Sequence, residues 1–126
     1  MKIKFKNSTH RTTFSAFVSE NIKSPFCSRN EFIAAVFLLT ADENLWKQSR
    51  RALTSYSVNF NNLNLSGIST EGYALFMAAK AIYCGGAEIT FSELCDVNLI
   101  DDLTVRTILM GVLLFRNGFA MLNWGC

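Results

Sequence analysis

Ser28 to Leu39, SRNEFIAAVFLL, constrains this chain more than any other stretch. Ser28 stands three residues before Glu31, the spacing of a capping box. The serine hydroxyl can accept from the Glu31 N–H, and the Glu31 carboxylate can reach back to the N–H of Ser28. Then follow eight apolar residues without a break, Phe32 to Leu39. A helix that is apolar on every side has no face to offer water and belongs inside a core. Eight residues are too few to cross a bilayer. So short a run is also compatible with a buried strand, but the cap and the paired alanines favour a helix. The sequence therefore predicts an all-α fold: a compact bundle of five to six helices around a central helix over 29–39.

The remaining elements follow from caps and breakers. Asn7 or Ser8 can cap a first helix running to about Glu20, with Phe14, Phe17 and Val18 as one stripe. Pro25, the single proline, ends that region. Asp42 caps a third helix whose inner face holds Leu45 or Trp46, Ser49, Ala52 and Leu53. Ser69 caps a fourth over Thr70 to Cys84, with Tyr73, Phe76, Met77, Lys80, Ala81 and Cys84 recurring at three and four, and Gly85 stops it. Thr90 and Glu93 form a second capping-box pair and open a short helix to Cys95. Asp101 caps the last helix, which runs to about Asn117 with a stripe of Leu103, Ile108, Leu109, Val112 and Leu113. Gly118 ends it.

Between the third and fourth helices lies an uncharged Ser/Asn-rich connector, residues 54–67, containing Asn59, Asn61, Asn62 and Asn64. A connector of that length is often functional. Residues 1–7 alternate Lys with Ile3 and Phe5 and read as a basic arm or edge strand, with a minor β-pairing of residues 2–6 to the connector. Residues 119–126, FAMLNWGC, are too apolar for a free tail, so Phe119, Leu122 and Trp124 are expected to dock on the body or on a partner. The whole chain, 1–126, reads as one domain.

Half the residues are hydrophobic and 11 are Phe, enough for a core without disulfide or metal support. Charged residues make up only 17%, which suits either a sticky surface or a dense core with a sparing one. Charge is split along the chain. Residues 1–29 carry six basic side chains against Glu20 alone, whereas Glu88 to Asp102 holds five acids and no base. Cys27, Cys84, Cys95 and Cys126 have no regular spacing, and the N-terminus shows no apolar signal region. Both point to free thiols in a reducing cytoplasm. No C-x2-C pair supports a zinc site with His10.

No catalytic constellation is visible. His10, the single histidine, has no recognisable nucleophile motif and reads as a partly exposed helix-face residue. Gly85-Gly86 follows a helix rather than preceding one, so it does not cradle a phosphate. Asp101 and Asp102 are explained by capping and by the helix dipole. Residues 90–116 have the outline of a helix-turn-helix, but acids at the entrance of the second helix would repel phosphates. The sequence thus predicts no enzyme, no cofactor, no metal and no membrane span.

Two contact surfaces are suggested. The acidic run with Glu88, Glu93, Asp96, Asp101 and Asp102 suits a protein with a basic surface, and Asn61, Asn62 and Trp124 are further contact candidates. Lys2, Lys4, Lys6 and Arg11 are the alternative, a nucleic-acid contact. A homodimer is compatible with either.

Two stretches resemble a family. Phe5, Asn7, His10 and Phe14 make an F-x-N-x-x-H-x-x-x-F opening, and Leu38, Leu39, Thr40, Ala41, Asp42, Leu45 and Trp46 make a later L-L-T-A-D-x-x-L-W phrase. Together with LSGISTEGYALFMAAKAIY and LIDDLTVRTILMGVLLFRNG, they resemble small all-helical accessory proteins of Firmicutes phages and integrative mobile elements. The shared residues are packing and capping residues, and no activity travels with them. The resemblance implies an accessory role, such as a stoichiometric inhibitor or adaptor of a host protein, in the manner of anti-CRISPR proteins.

Overall fold

The computed structural model describes residues 3–21, 29–54, 56–86 and 88–118. Expectations for Lys2, Pro25, Cys27, Ser28, Cys126 and the tail 119–126 with Trp124 fall outside these residues. The described chain is mainly helical: α1 (Ser8–Asn21), α2 (Asn30–Leu39), α3 (Glu43–Ser49), α4 (Thr70–Cys84), α5 (Phe91–Leu94) and α6 (Asp102–Asn117). Two 3-10 turns, Arg50–Ala52 and Phe60–Asn62, lie between α3 and α4.

The apolar run sets the architecture. Every residue from Phe32 to Leu39 is buried in α2, each at most 1% exposed. The helix packs mainly against α4 and α6, which also touch each other. Its N-cap is Arg29, in extended backbone with no side-chain capping bond. The predicted box with Ser28 lies outside the described residues; among them, the Glu31 carboxylate takes an ion pair from Arg29 Nε at 3.3 Å.

The C-terminal end of α2 is held by side chains. The Thr40 N–H bonds to the Val36 carbonyl and the Ala41 N–H to the Leu38 carbonyl. The Phe37 carbonyl, buried between them, accepts from Thr40 Oγ1 at 3.0 Å and from His10 Nε2 at 2.7 Å. A buried carbonyl without a donor would cost about 1–3 kcal/mol. His10 is thus a buried residue, 1% exposed, and not the half-exposed helix-face residue expected. The Asn7 side chain caps α1 by accepting from the His10 N–H at 2.8 Å. Phe5 stacks edge-on against the imidazole and leans on Phe14 and Phe37. The F-x-N-x-x-H-x-x-x-F phrase is one packed cluster fastening α1 to the end of α2.

Other caps fall where the sequence placed them. Asp42 accepts from the Leu45 N–H, Ser69 from Gly72 and Asp101 from Thr104. The Thr90–Glu93 capping box is complete. Gly85 takes a left-handed φ of 73° at the end of α4, a conformation glycine adopts at little cost.

Two helices are rotated from expectation. In α4 the buried residues are Gly72, Ala74, Leu75, Phe76, Ala78 and Ala79, while Tyr73 is exposed. In α6 they are Thr104, Thr107, Ile108, Gly111 and Leu114, while Leu103, Leu109 and Val112 face solvent. The reason is close approach to α2: a Cβ on Gly111 would lie 2.8 Å from Leu38 Cγ. Small residues, not the largest ones, mark the contact side. Gly111→Val is expected to destabilise the fold by about 2–3 kcal/mol through overpacking, read as a lower urea midpoint at unchanged slope.

The predicted pairing of residues 2–6 with the connector is not formed by the residues described there. Ile3 and Phe5 instead pack on the core, and Val58 makes an isolated antiparallel bridge with Leu53. The connector is ordered by α3: Gln48 bonds both the N–H and the carbonyl of Ser66, and Asn44 bonds the Gly67 carbonyl.

Candidate protein-binding cleft

The acidic segment forms one wall of a cleft. Gly85 ends α4, and Glu88, Ile89 and Glu93 lie across a cleft from the first half of that helix. Ile89 and Leu94 touch the core, and Ile100 is buried in it. Between this segment and the N-terminal half of α4 lies a cleft of about 350 Å³. Tyr73, Ala74, Met77, Ile89, Leu99 and Ile100 give it apolar walls, and Glu88 and Glu93 also line it. Beyond it the same segment holds Phe91 and Val97 in water, 82% and 78% exposed.

The five acids differ in role. The Glu93 carboxylate accepts from the N–H and hydroxyl of Thr90, both at 3.0 Å. Asp96 accepts from the Asn98 N–H at 2.9 Å and closes the turn before α6. Asp101 accepts from the Thr104 N–H at 2.8 Å, and the adjacent Thr104 hydroxyl and amide hold its carboxyl below the usual carboxylate range. Asp102 lies exposed in the first turn of α6, where the dipole favours an acid. Caps and a turn thus engage three of the five acids, Glu93, Asp96 and Asp101, without removing their charge. Glu88 has no capping role: it is half-buried, and its Oε2 is buried with no hydrogen-bond partner among the described residues. Its carboxylate folds over Gly86, where a Cβ would come 2.5 Å from it. That glycine leaves room for the acid.

The other expected contacts lie elsewhere. Asn61 and Asn62 are exposed on the second 3-10 turn. Asn62 borders a polar depression of about 580 Å³ with Gln48, Arg51, Asn59 and Asn64, which shares no lining residue with the acidic cleft. The described basic residues do not form a free arm. Lys4 is exposed and shares an apolar groove with Arg106 along α6, Lys6 is half-buried, and Arg11 is exposed on α1. The sequence does not reveal the apolar half of the cleft: the three-and-four spacing puts Tyr73 and Met77 on one stripe of α4 with Phe76 and does not say what that stripe faces. Their nearness to acids eleven or more residues on is a tertiary fact.

His10 is closed to chemistry. Its Nδ1 accepts from the Lys6 N–H at 2.9 Å, so Nε2 carries the proton donated to Phe37. Burial lowers its pKa from 6.5 to about 4, against the raising effect of the Phe37 carbonyl. Both ring nitrogens are occupied, which leaves no lone pair for a metal or a substrate proton. No group of three or more His, Cys, Asp or Glu among the described residues could hold a metal ion. Cys84 and Cys95 are free and exposed. No described helix is long and apolar enough to cross a membrane. Comparison with family models, curated proteins and solved structures returns no match.

Proposed function

We propose that this chain is a non-enzymatic protein-binding module whose cleft between α4 and residues 88–101 takes a basic, apolar-anchored segment of a partner protein. The observation that carries this reading is the apolar cleft at Tyr73, Met77 and Leu99 with Glu88 and Glu93 beside it. An apolar pocket supplies most of the affinity of such a contact, and acids around it steer and orient a cation-bearing partner. Phe91 and Val97, held in water beside it, extend the contact surface. The resemblance to accessory proteins of phages and mobile elements suits a stoichiometric inhibitor or adaptor of a cytoplasmic host or element protein, such as an anti-defence role. Nucleic acid is the weaker partner, because the described basic residues are dispersed and the acids beside the cleft would repel phosphates.

Selection of a displayed library of random peptides tests the reading directly. The enriched peptides are expected to share one aliphatic or aromatic anchor flanked by Lys or Arg. Phe91→Ser together with Tyr73→Ser should weaken binding of an enriched peptide at least tenfold while leaving the melting temperature within a few degrees, since both side chains are exposed. Enriched peptides without basic residues, or affinity indifferent to the double substitution, would refute the assignment.

A further inference from the structure

The solvent side of α6 is apolar where a lone helix would be polar. Leu109 and Val112 are 49% and 43% exposed, and Val105 and Leu113 are only partly buried. With Asp102, Arg106 and Arg116 they recur at the three-and-four spacing of a heptad seam. The ends of that seam carry opposite charge: Asp102 in the first turn and Arg116 in the last. Both are exposed, and neither forms an ion pair with a described residue.

We propose that this face binds a second copy of the chain, with the two α6 helices antiparallel and related by a twofold axis at Leu109. The pattern is self-complementary about that residue. Leu109 meets its own counterpart, Val105 meets the partner's Leu113, and the aliphatic stem of Arg106 covers the partner's Val112. Asp102 then meets the partner's Arg116, and the pairing repeats at the other end. A parallel pairing would instead place Asp102 on Asp102 and Arg116 on Arg116. The face is separate from the acidic cleft, because no residue lines both it and that cleft. A single helix pair buries less than the roughly 800 Å² per partner of a standard interface, so the dimer is concentration-dependent.

Sedimentation under reducing conditions, across about a hundredfold range of protein concentration, tests this. The wild-type chain is expected to pass from monomer to dimer. Leu109→Lys, which sets two ammonium groups together on the axis, should weaken association at least tenfold. Asp102→Arg should weaken it as well, by opposing two cations at each end, and adding Arg116→Asp should restore it. Far-UV circular dichroism checks that each variant is folded; if Asp102→Arg loses helicity, Arg116→Glu supplies the same repulsion from the other side. A chain that stays monomeric throughout overturns the proposal. So does a dimer indifferent to Leu109→Lys, or one that the paired charge exchange fails to restore.

Discussion

Phe37→Asp is expected to leave no folded protein. Phe37 is fully buried at the third-last position of α2, against Phe5, His10 and Phe14. Removing the ring alone would cost about 3–5 kcal/mol in transfer and cavity terms. Aspartate adds a carboxylate with no cation beside it. That group must either stay charged in an apolar interior or be protonated far above its usual pKa, and each route adds several kcal/mol more. The sum reaches the whole of an ordinary domain's stability, about 5–15 kcal/mol. Soluble yield and far-UV circular dichroism check this, with Phe37→Leu as the control that keeps most of the volume. A soluble, cooperatively melting Asp variant would mean that α2 is not the centre of the fold.

How much of this was legible beforehand depended on the range of the signal. Caps are local: Asp42, Ser69, Thr90 and Asp101 each declare a helix start within four residues, and all four bond as their spacing implies. A helix buried all round is also legible, because no choice of face is needed. The faces of α4 and α6 were not. Both carry apolar residues on more than one side, and the side that packs is chosen by how closely α2 can approach. Gly111, Ala78 and Ala79 decide that, and a stripe drawn through the largest residues points the wrong way. The cleft shared this fate, since Tyr73 and Met77 become wall residues only once α4 is turned. His10 failed for another reason. Nothing local distinguishes a surface imidazole from one that completes the end of a helix 27 residues away.

That imidazole makes stability depend on pH more steeply than a surface histidine would. The unfolded chain binds a proton at the ordinary histidine pKa of 6.5, whereas the fold resists it until about 4. The unfolded state therefore holds more protons across that interval, so stability falls as pH drops through it and is complete above it. Each pH unit of that interval is about 1.4 kcal/mol, which makes the loss about 3 kcal/mol between pH 7 and pH 4. Protonation also puts a hydrogen on Nδ1, where the Lys6 N–H now donates, and so breaks that bond. Carboxylates add their own acid dependence, so the informative quantity is a difference. His10→Gln removes the titration while retaining an amide that can donate to the Phe37 carbonyl. The variant should be about 1–3 kcal/mol less stable at pH 7, from the lost ring packing and imperfect bonding. Its deficit should shrink steadily toward pH 4. Urea midpoints at four pH values give both curves. Parallel curves would show that the proton reaches His10 without unfolding the chain, and the clasp between α1 and the end of α2 would then carry none of the pH dependence.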